Sequence, residues 1–400
     1  MNGDVTTSAQ ITRQLDKAIV FSLLGMVVAI PLSESLKSIL FGLSLTCWLV
    51  KMVITKNFSV QIPPIGWAFL TWLSAIFVSS LFSTCGFFVG VRDVLLYTIF
   101  FFLLVNTIHS RDQVWMVIWA VIIGIGLGEV LALYEYLIAK EYVFSGRDMT
   151  RLHIGSLGFT GAYLAMIFAL LFGLWSHIRF ASKPQTFLIA VSLLSGLALL
   201  FTYTRTMWIV VLIIAALCAL LHRQWWPIGG GALIIASLVV GMITSPWISN
   251  RIMVLANPLT APSFVSRFPI WDAAMRMFHE YPLLGVGHKC FKPNREQFGV
   301  PENIGQAHNL FFHVAAELGS LGIIALVVWV GAYIYFLYQT RKQMLDPLSR
   351  SLWFATMGSF VTILIGGIID PMIGSEVSLL FMLVTGLLIV SQRLAAEKQT

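Results

Sequence analysis

Charged residues are scarce in this chain of 400 residues, since Asp, Glu, Lys and Arg together make up only 11% of it. Soluble domains carry roughly 25% charged residues, so this scarcity excludes an ordinary soluble fold. Hydrophobic residues make up 58% of the chain and the mean hydropathy is +0.87. Apolar runs of about 18 or more residues recur, which predicts an all-α polytopic membrane protein rather than a barrel of short alternating strands.

The chain also lacks the patterns of several functional classes. Its four cysteines, Cys47, Cys85, Cys218 and Cys290, show no paired metal-ligand spacing, and it contains no Asp-x-Asp pair. We therefore predict no metal and no cofactor. Nothing in the sequence shows that Cys85 and Cys290 are close, so we do not predict a disulfide between them. No sustained internal repeat is present, which argues against a transporter built from inverted halves.

The apolar runs predict about twelve spans in a single integral membrane domain, residues 1–400, without a cleavable secretory signal. An even number of spans places both termini on one side of the membrane. The predicted spans are residues 18–33, 36–53, 64–82, 93–108, 114–138, 155–177, 185–203, 206–221, 227–244, 320–339, 350–369 and 375–392.

The distribution of Lys and Arg predicts the orientation. With the N-terminus inside, thirteen of the 25 basic residues lie on the inner side, as the positive-inside rule requires. Nine others break the rule, because they lie in a smaller outer loop, 139–154, and a large outer loop, 245–308. The net charge of +7 would suggest nucleic acid in a soluble protein. In a membrane protein, the net charge mostly reflects the basic residues of the loops, which set the topology. We therefore predict no nucleic-acid partner.

Three arginines outside the large loop are candidates for binding an anion. Arg147 and Arg151 stand four residues apart, so on one helical turn they would share a face and grip a dianion. The alternative is a pair of interface arginines that bind lipid headgroups. Arg205 lies between the seventh and eighth predicted spans, where a cation needs a partner or a wet cavity. The alternative there is a simple span-end arginine.

Within the large loop, apolar residues at three- and four-residue steps predict an amphipathic helix from Ser263 to Tyr281, which carries Arg267 and Trp271. Pro269 is tolerable only in its first turn, and Pro282 ends it. The following Gly285-Val-Gly287-His288-Lys289 segment predicts either a phosphate cradle or a plain tight turn.

His308 and Asn309 lie at the mouth of the tenth predicted span. A neutral histidine there is able to accept a proton from a sugar hydroxyl, and the alternative is a hydrogen-bonded interface residue. The nearby acids are Glu317 and Asp370. Either is expected to orient His308 or to balance the arginines, unless each forms a structural ion pair.

These residues carry a resemblance to a known family. The chain resembles the O-antigen ligase and polymerase superfamily of bacterial envelopes, and within it the O-antigen ligases. The specific segments that carry the resemblance are Ser266-Arg267-x3-Trp271-x2-Ala274, Pro282-x2-Gly285-x-Gly287 and His308-Asn309-x9-Gly319-x2-Gly322.

The resemblance implies a GT-C-like bundle in the bacterial inner membrane, with cytoplasmic termini and a periplasmic active site. It implies an undecaprenyl diphosphate-linked glycan as donor, a lipid A-core sugar as acceptor, and membrane lipids as surroundings. By the same resemblance, His308 is the base that activates the acceptor, and Arg205 and Arg267 hold the diphosphate. Trp271 and Asn309, which belong to the motifs, are predicted to bind substrate. From their sidedness alone, we assign Arg147, Arg151 and Lys289 to the same cluster.

Two other functions remain open from the sequence. One is the O-antigen polymerase of the same superfamily, and the other is a membrane transporter for an anionic substrate. For a transferase, direct displacement with a single base predicts inversion at the anomeric carbon. Arginines are able to neutralise a diphosphate without a metal ion, so the predicted reaction is metal-independent.

Overall fold

The computed structural model is a bundle of α-helices, and it describes residues 2–135, 138, 143–144, 147–148, 152, 156–202, 204–223, 229, 262–302, 304–344, 346–372 and 375–397. The helices before the large loop are α1 (Asn2–Ala29), α2 (Glu34–Thr55), α3 (Pro64–Leu81), α4 (Phe87–Thr107), α5 (Arg111–Tyr134), α6 (Leu157–His177), α7 (Ser182–Phe201) and α8 (Arg205–His222). Two short strands, β1 (Val143–Phe144) and β2 (Arg147–Asp148), pair antiparallel between α5 and α6.

The large loop and the C-terminal part of the chain supply the remaining elements. These are α9 (Pro262–Val265), α10 (Phe268–Glu280), α11 (Phe291–Asn294), a 3-10 turn (Glu296–Phe298), α12 (Leu310–Lys342), α13 (Pro347–Gly367) and α14 (Ser375–Glu397).

Nine helices in the described part of the chain are long and apolar enough to cross a membrane. They correspond to nine of the twelve predicted spans, which confirms a polytopic membrane fold. The first predicted span, 18–33, lies in α1, which is not one of the nine, and α1 begins near the N-terminus and ends at Ala29. The eighth predicted span corresponds to the shorter apolar helix α8, and the ninth, 227–244, lies almost wholly outside the described residues.

Helix α6 lies at the centre of the bundle, where it packs against α7, α8, α13 and α14. Its contact with α13 depends on small residues. An ideal Cβ on Gly173 would lie 2.4 Å from the backbone oxygen of Ser351, and one on Gly358 would lie 2.5 Å from Ala169 Cβ. Glycine thus allows the two helix backbones to approach closely. Such close packing commonly stabilises helix association in a membrane, where the hydrophobic effect does not drive helices together.

Helix α12 is kinked at Gly319, whose φ of 61° and ψ of −154° are not helical. The backbone of the large loop packs into this kink and replaces the hydrogen bonds that the helix loses. Val286 N donates to Ala316 O (3.0 Å), Gly287 N donates to Glu317 O (2.9 Å), and Ser320 N donates to Pro282 O (2.8 Å). Backbone groups at membrane depth need such partners, so the loop and the kink stabilise each other.

The Gly285-to-Lys289 segment is therefore a packing turn rather than a phosphate cradle, because the amides of Val286 and Gly287 already donate to α12. Gly285 and Gly287 have φ values of +67° and +105°. A Cβ on Gly285 would lie 2.3 Å from the Glu317 carbonyl carbon. Both the backbone conformation and the space exclude a side chain here.

We expect Gly285→Ala to destabilise the protein by about 2–5 kcal/mol, from left-handed strain together with overpacking. Thermal unfolding in detergent measures this as a lower Tm. Gly331→Ala is the matched control, because Gly331 lies in α12 with nothing within 4 Å of an added Cβ. Equal Tm values for the two variants would show that loop and kink are not packed as described.

A disulfide joins Cys85 to Cys290, with a Cα–Cα distance of 5.7 Å across a sequence separation of 205 residues. The expectation that these cysteines are unpaired is wrong. The connection between α3 and α4 meets the large loop, since Thr84 N also donates to Val286 O (3.0 Å). Chain contacts of such long range leave no local sequence signal. The disulfide ties two predicted outer connections together on one side of the bundle.

Candidate active site

The predicted helix from Ser263 to Tyr281 is divided into α9 and α10, and Arg267 lies at the break. Pro269 explains the division, because proline is accommodated in the first turn of a helix but not in its interior. Arg267 is consequently the N-cap residue of α10. The inner face of α10 is buried through Ile270, Ala273, Ala274 and Met277, and the helix packs on α12. This packing fixes the position of Arg267.

Two other charged residues act on the partly buried Arg267 guanidinium. Burial lowers the pKa of Arg267, the Asp370 carboxylate raises it, and the Arg205 charge lowers it. Arg205 and Asp370 thus act electrostatically on Arg267, and the three residues belong to three different connections of the chain. We refer to Arg205 and Arg267 as the arginine cluster, and guanidinium groups are well suited to binding a phosphate or another anion.

Both arginines lie at the N-terminal ends of helices. Arg205 is the first residue of α8, as Arg267 is the N-cap of α10. An ideal Cβ on Gly161 would lie 2.4 Å from Thr204 Oγ1, so glycine in α6 allows the start of α8 to pack this close. Helix N-termini carry partial positive charge, which adds to the guanidinium charges and favours anion binding.

His308 forms a close pair with Asp370. Its Nδ1 lies 2.5 Å from Asp370 Oδ1, and Gln306 Nε2 donates to the same oxygen at 3.2 Å. An ionised carboxylate only accepts hydrogen bonds, so the ring proton belongs on Nδ1. Nε2 then keeps its lone pair and is available as a base, which is the arrangement that a carboxylate imposes on histidine in hydrolytic triads.

The backbone around His308 is held in an unusual conformation. His308 has a φ of +47°, a region that residues with a Cβ rarely adopt. The side chain of Asn309 holds the backbone that follows His308 in place. Its Oδ1 accepts from Phe311 N (2.9 Å) and Phe312 N (3.1 Å), which caps α12, and its Nδ2 donates to Ile368 O (3.0 Å). Asn309 thus joins the start of α12 to the segment that carries Asp370. Strain that is held by such contacts is typical of functional sites.

Comparison with known proteins found a family match for part of the chain. Residues 188–327 match the family model described as O-Antigen ligase, and this segment includes Arg205, Arg267, His308 and Asn309. This segment of the chain is therefore similar to the O-antigen ligase family. The resemblance of the sequence to the O-antigen ligase and polymerase superfamily is thereby confirmed, and the family supports a membrane glycosyltransferase type of enzyme. No curated protein matches the chain. Asp370 lies outside the matched segment and contacts it through His308.

Trp271 lies one helical turn after Arg267, and its backbone N donates to Arg267 O (2.9 Å). Its ring stacks on Phe312, with ring centroids 5.4 Å apart, and contacts Phe264 and Phe268 edge-on. Its Nε1 is buried and has no hydrogen-bond partner among the described residues. Buried hydrogen-bond donors usually have a partner, and a bound substrate is able to provide one. Substrate binding by Trp271 stays a prediction. For Asn309, both ends of the side chain contact the backbone, and substrate binding stays a prediction.

The structure does not place the other predicted residues in the arginine cluster. Lys289 forms an ion pair with Asp93 and has a φ of +61°. Arg147 lies in β2, opposite Phe144, so the helical turn assumed for Arg147 and Arg151 is wrong at Arg147. The Ser145-Gly146 dipeptide between the paired residues is a turn signal that favours a hairpin. Arg151 lies outside the described residues.

Sequence reasoning left open which acid pairs with His308, and the structure gives Asp370. Glu317 is instead surrounded by four other groups. It accepts from Lys289 N (2.8 Å) and Phe291 N (3.1 Å), and it lies 3.1 Å from His288 Nδ1 and 3.5 Å from His313 Nε2. Gln306 was missed altogether, because its contact with Asp370 depends on the fold. In the part of the chain that the structure describes, no group of three or more His, Cys, Asp or Glu residues forms a metal site.

Proposed function

We propose that the chain is an O-antigen ligase, which transfers glycan from undecaprenyl diphosphate to lipid A-core in the last step of lipopolysaccharide assembly. The observation that carries the proposal is the His308–Asp370 pair beside Arg267 and Arg205. A base and an anion-binding group side by side are what glycosyl transfer from a lipid diphosphate needs, since a proton is removed at one end and negative charge develops at the other.

In the proposed reaction, an acceptor hydroxyl attacks the anomeric carbon of the donor. The new carbon–oxygen bond forms as the bond to the diphosphate breaks, and the hydroxyl proton passes to His308 Nε2. Undecaprenyl diphosphate leaves with the bonding electron pair, and the guanidinium groups of Arg205 and Arg267 stabilise its charge. Asp370 holds the His308 ring and stabilises the imidazolium that forms. A single displacement of this kind inverts the configuration.

The Cys85–Cys290 disulfide supports a periplasmic site. Disulfides persist in oxidising compartments such as the periplasm and are rare in the cytosol. Its Cys290 belongs to the same large loop that carries Arg267 and His308. We therefore place the site on the periplasmic face of the inner membrane, with Lys and Arg of the short loops and both termini on the cytoplasmic face.

Purified protein, supplied with an undecaprenyl diphosphate-linked glycan with and without lipid A-core, tests the proposal. We expect extended lipopolysaccharide only when lipid A-core is present, with an inverted linkage and with full activity in EDTA. Longer lipid-linked glycan from donor alone would indicate a polymerase. Flux of an anion across proteoliposomes without a covalent product would indicate a transporter. Inhibition by EDTA that a divalent cation reverses would contradict the metal-independent reaction.

A further inference from the structure

A cavity of about 520 Å³ lies next to the His308–Asp370 pair, and the proposed chemistry does not use it. It falls within the range of roughly 300–1,000 Å³ that is usual for small-molecule sites. Its lining includes Gln306 and Pro371. Gln306 also donates to Asp370 Oδ1, the oxygen that His308 contacts. The Asp370 carboxylate is thus linked to the cavity through Gln306 and to the arginine cluster through Arg267.

The cavity wall is built from hydrogen-bonding and aromatic side chains. Gln306 and His313 contribute polar groups, and Tyr97 and Phe159 contribute ring surfaces. Glu317 supports the wall, because its oxygens bind the amides of Lys289 and Phe291 and contact two histidines. A lining of many hydrogen-bonding groups with two ring surfaces suits a sugar, which presents hydroxyl groups and apolar ring faces together.

Lys292 contributes an exposed cation to the cavity wall, which also includes the carboxylates of Asp93 and Glu317. Lys289, its neighbour in the wall, is paired with Asp93. Lys292 forms no ion pair with a described residue, and its aliphatic stem lies 3.8 Å from an ideal Cβ at Gly305, directly before Gln306. A lysine in this position is a point charge for an anionic substituent on a sugar.

We propose that this cavity binds the acceptor, as a sugar whose anionic substituent contacts Lys292. The inference rests on the proposed function. The anionic group of the donor is its diphosphate, which the arginine cluster binds in the proposed reaction. Lys292 is a further cation and lies in the wall of the cavity, so it fits an anionic group on the other substrate, the acceptor. Gln306 lines the cavity and contacts the same Asp370 oxygen as His308. A sugar that binds beside Gln306 would therefore have its hydroxyl groups directed towards His308.

Steady-state ligation with the Lys292→Ala variant tests this. We expect the KM for lipid A-core to rise about tenfold or more, as for one lost charge-assisted contact, with kcat within about threefold and an unchanged KM for the donor. Lys292→Arg should restore the acceptor KM. Lys183→Ala is the control, since Lys183 is an exposed lysine at the start of α7. An unchanged acceptor KM, or a rise in the donor KM instead, would overturn the proposal.

The anionic substituent is either a phosphate or the carboxylate of a sugar acid. Repeating the measurement with phosphatase-treated lipid A-core distinguishes these two. If the difference between wild type and Lys292→Ala disappears, the substituent is a phosphate, and if it persists, it is a carboxylate of a sugar acid. Binding of lipid A-core without donor keeps this test independent of the proposed reaction. If wild type transfers no glycan, the proposed function fails. Equal binding by wild type and Lys292→Ala overturns the acceptor site.

Discussion

Replacing His308 by Ala is expected to lower the turnover number for ligation by about 10²–10⁴-fold at neutral pH, which is the usual contribution of a general base. The substitution removes only the imidazole ring, whose Nε2 is the proposed proton acceptor. Asp370 cannot replace it, because its Oδ1 lies on the far side of the ring, against Nδ1. Steady-state ligation with saturating donor and acceptor measures the effect.

His279→Ala is the control for this variant. His279 is an exposed histidine at the end of α10, outside the His308–Asp370 pair. We expect its turnover to stay within about threefold of wild type. Equal Tm values for the two variants show that both are folded. Near-normal turnover of a folded His308→Ala variant would remove His308 from the chemistry.

Replacing Arg267 by Ala is expected to lower kcat by about 10²–10³-fold, the usual cost of losing one donor to a developing anion. The partial burial of Arg267 strengthens the effect, because water does not readily take the place of the guanidinium. Arg267→Lys should recover only part of the loss, since lysine keeps the charge but not the planar pair of donors.

Arg276→Ala provides the comparison on the same helix. Arg276 is exposed, and it bonds to Phe298 O (2.8 Å) and lies 3.3 Å from Asp272 rather than in the arginine cluster. We expect its kcat to change by less than about threefold. A loss of roughly tenfold or less for Arg267→Ala would assign Arg267 a structural role instead of a role in the reaction.

The sequence predicted much of the candidate site because hydropathy and charge both have local signals. Spans follow from apolar runs, and the basic residues of the large loop stand out against the positive-inside rule. Arg205, Arg267 and His308 were predicted on one side. Asp370 contacts His308 and acts electrostatically on Arg267, as does Arg205. The predicted helix from Ser263 to Tyr281 was wrong in its continuity, because Pro269 lies in the first turn of a separate helix, α10.

Contacts between distant segments were not predictable in the same way. The partner of His308 depends on how α12 and α13 pack, so Glu317 and Asp370 were equivalent from the sequence. The ion pair of Lys289 with Asp93 and the disulfide of Cys85 with Cys290 both join the large loop to the start of α4 or the connection before it. The kink at Gly319 has no signal beyond the glycine itself, yet it creates the backbone partners for the Gly285 turn.

A double-mutant cycle on His308 and Asp370 tests the central claim, that these two side chains act as one unit in removing the acceptor proton. Turnover is measured for His308→Ala, Asp370→Asn and the combined variant. If Asp370 acts only through His308, the combined variant is no slower than His308→Ala alone, since groups that act as a unit are strongly non-additive. Losses that multiply in the combined variant would contradict the account.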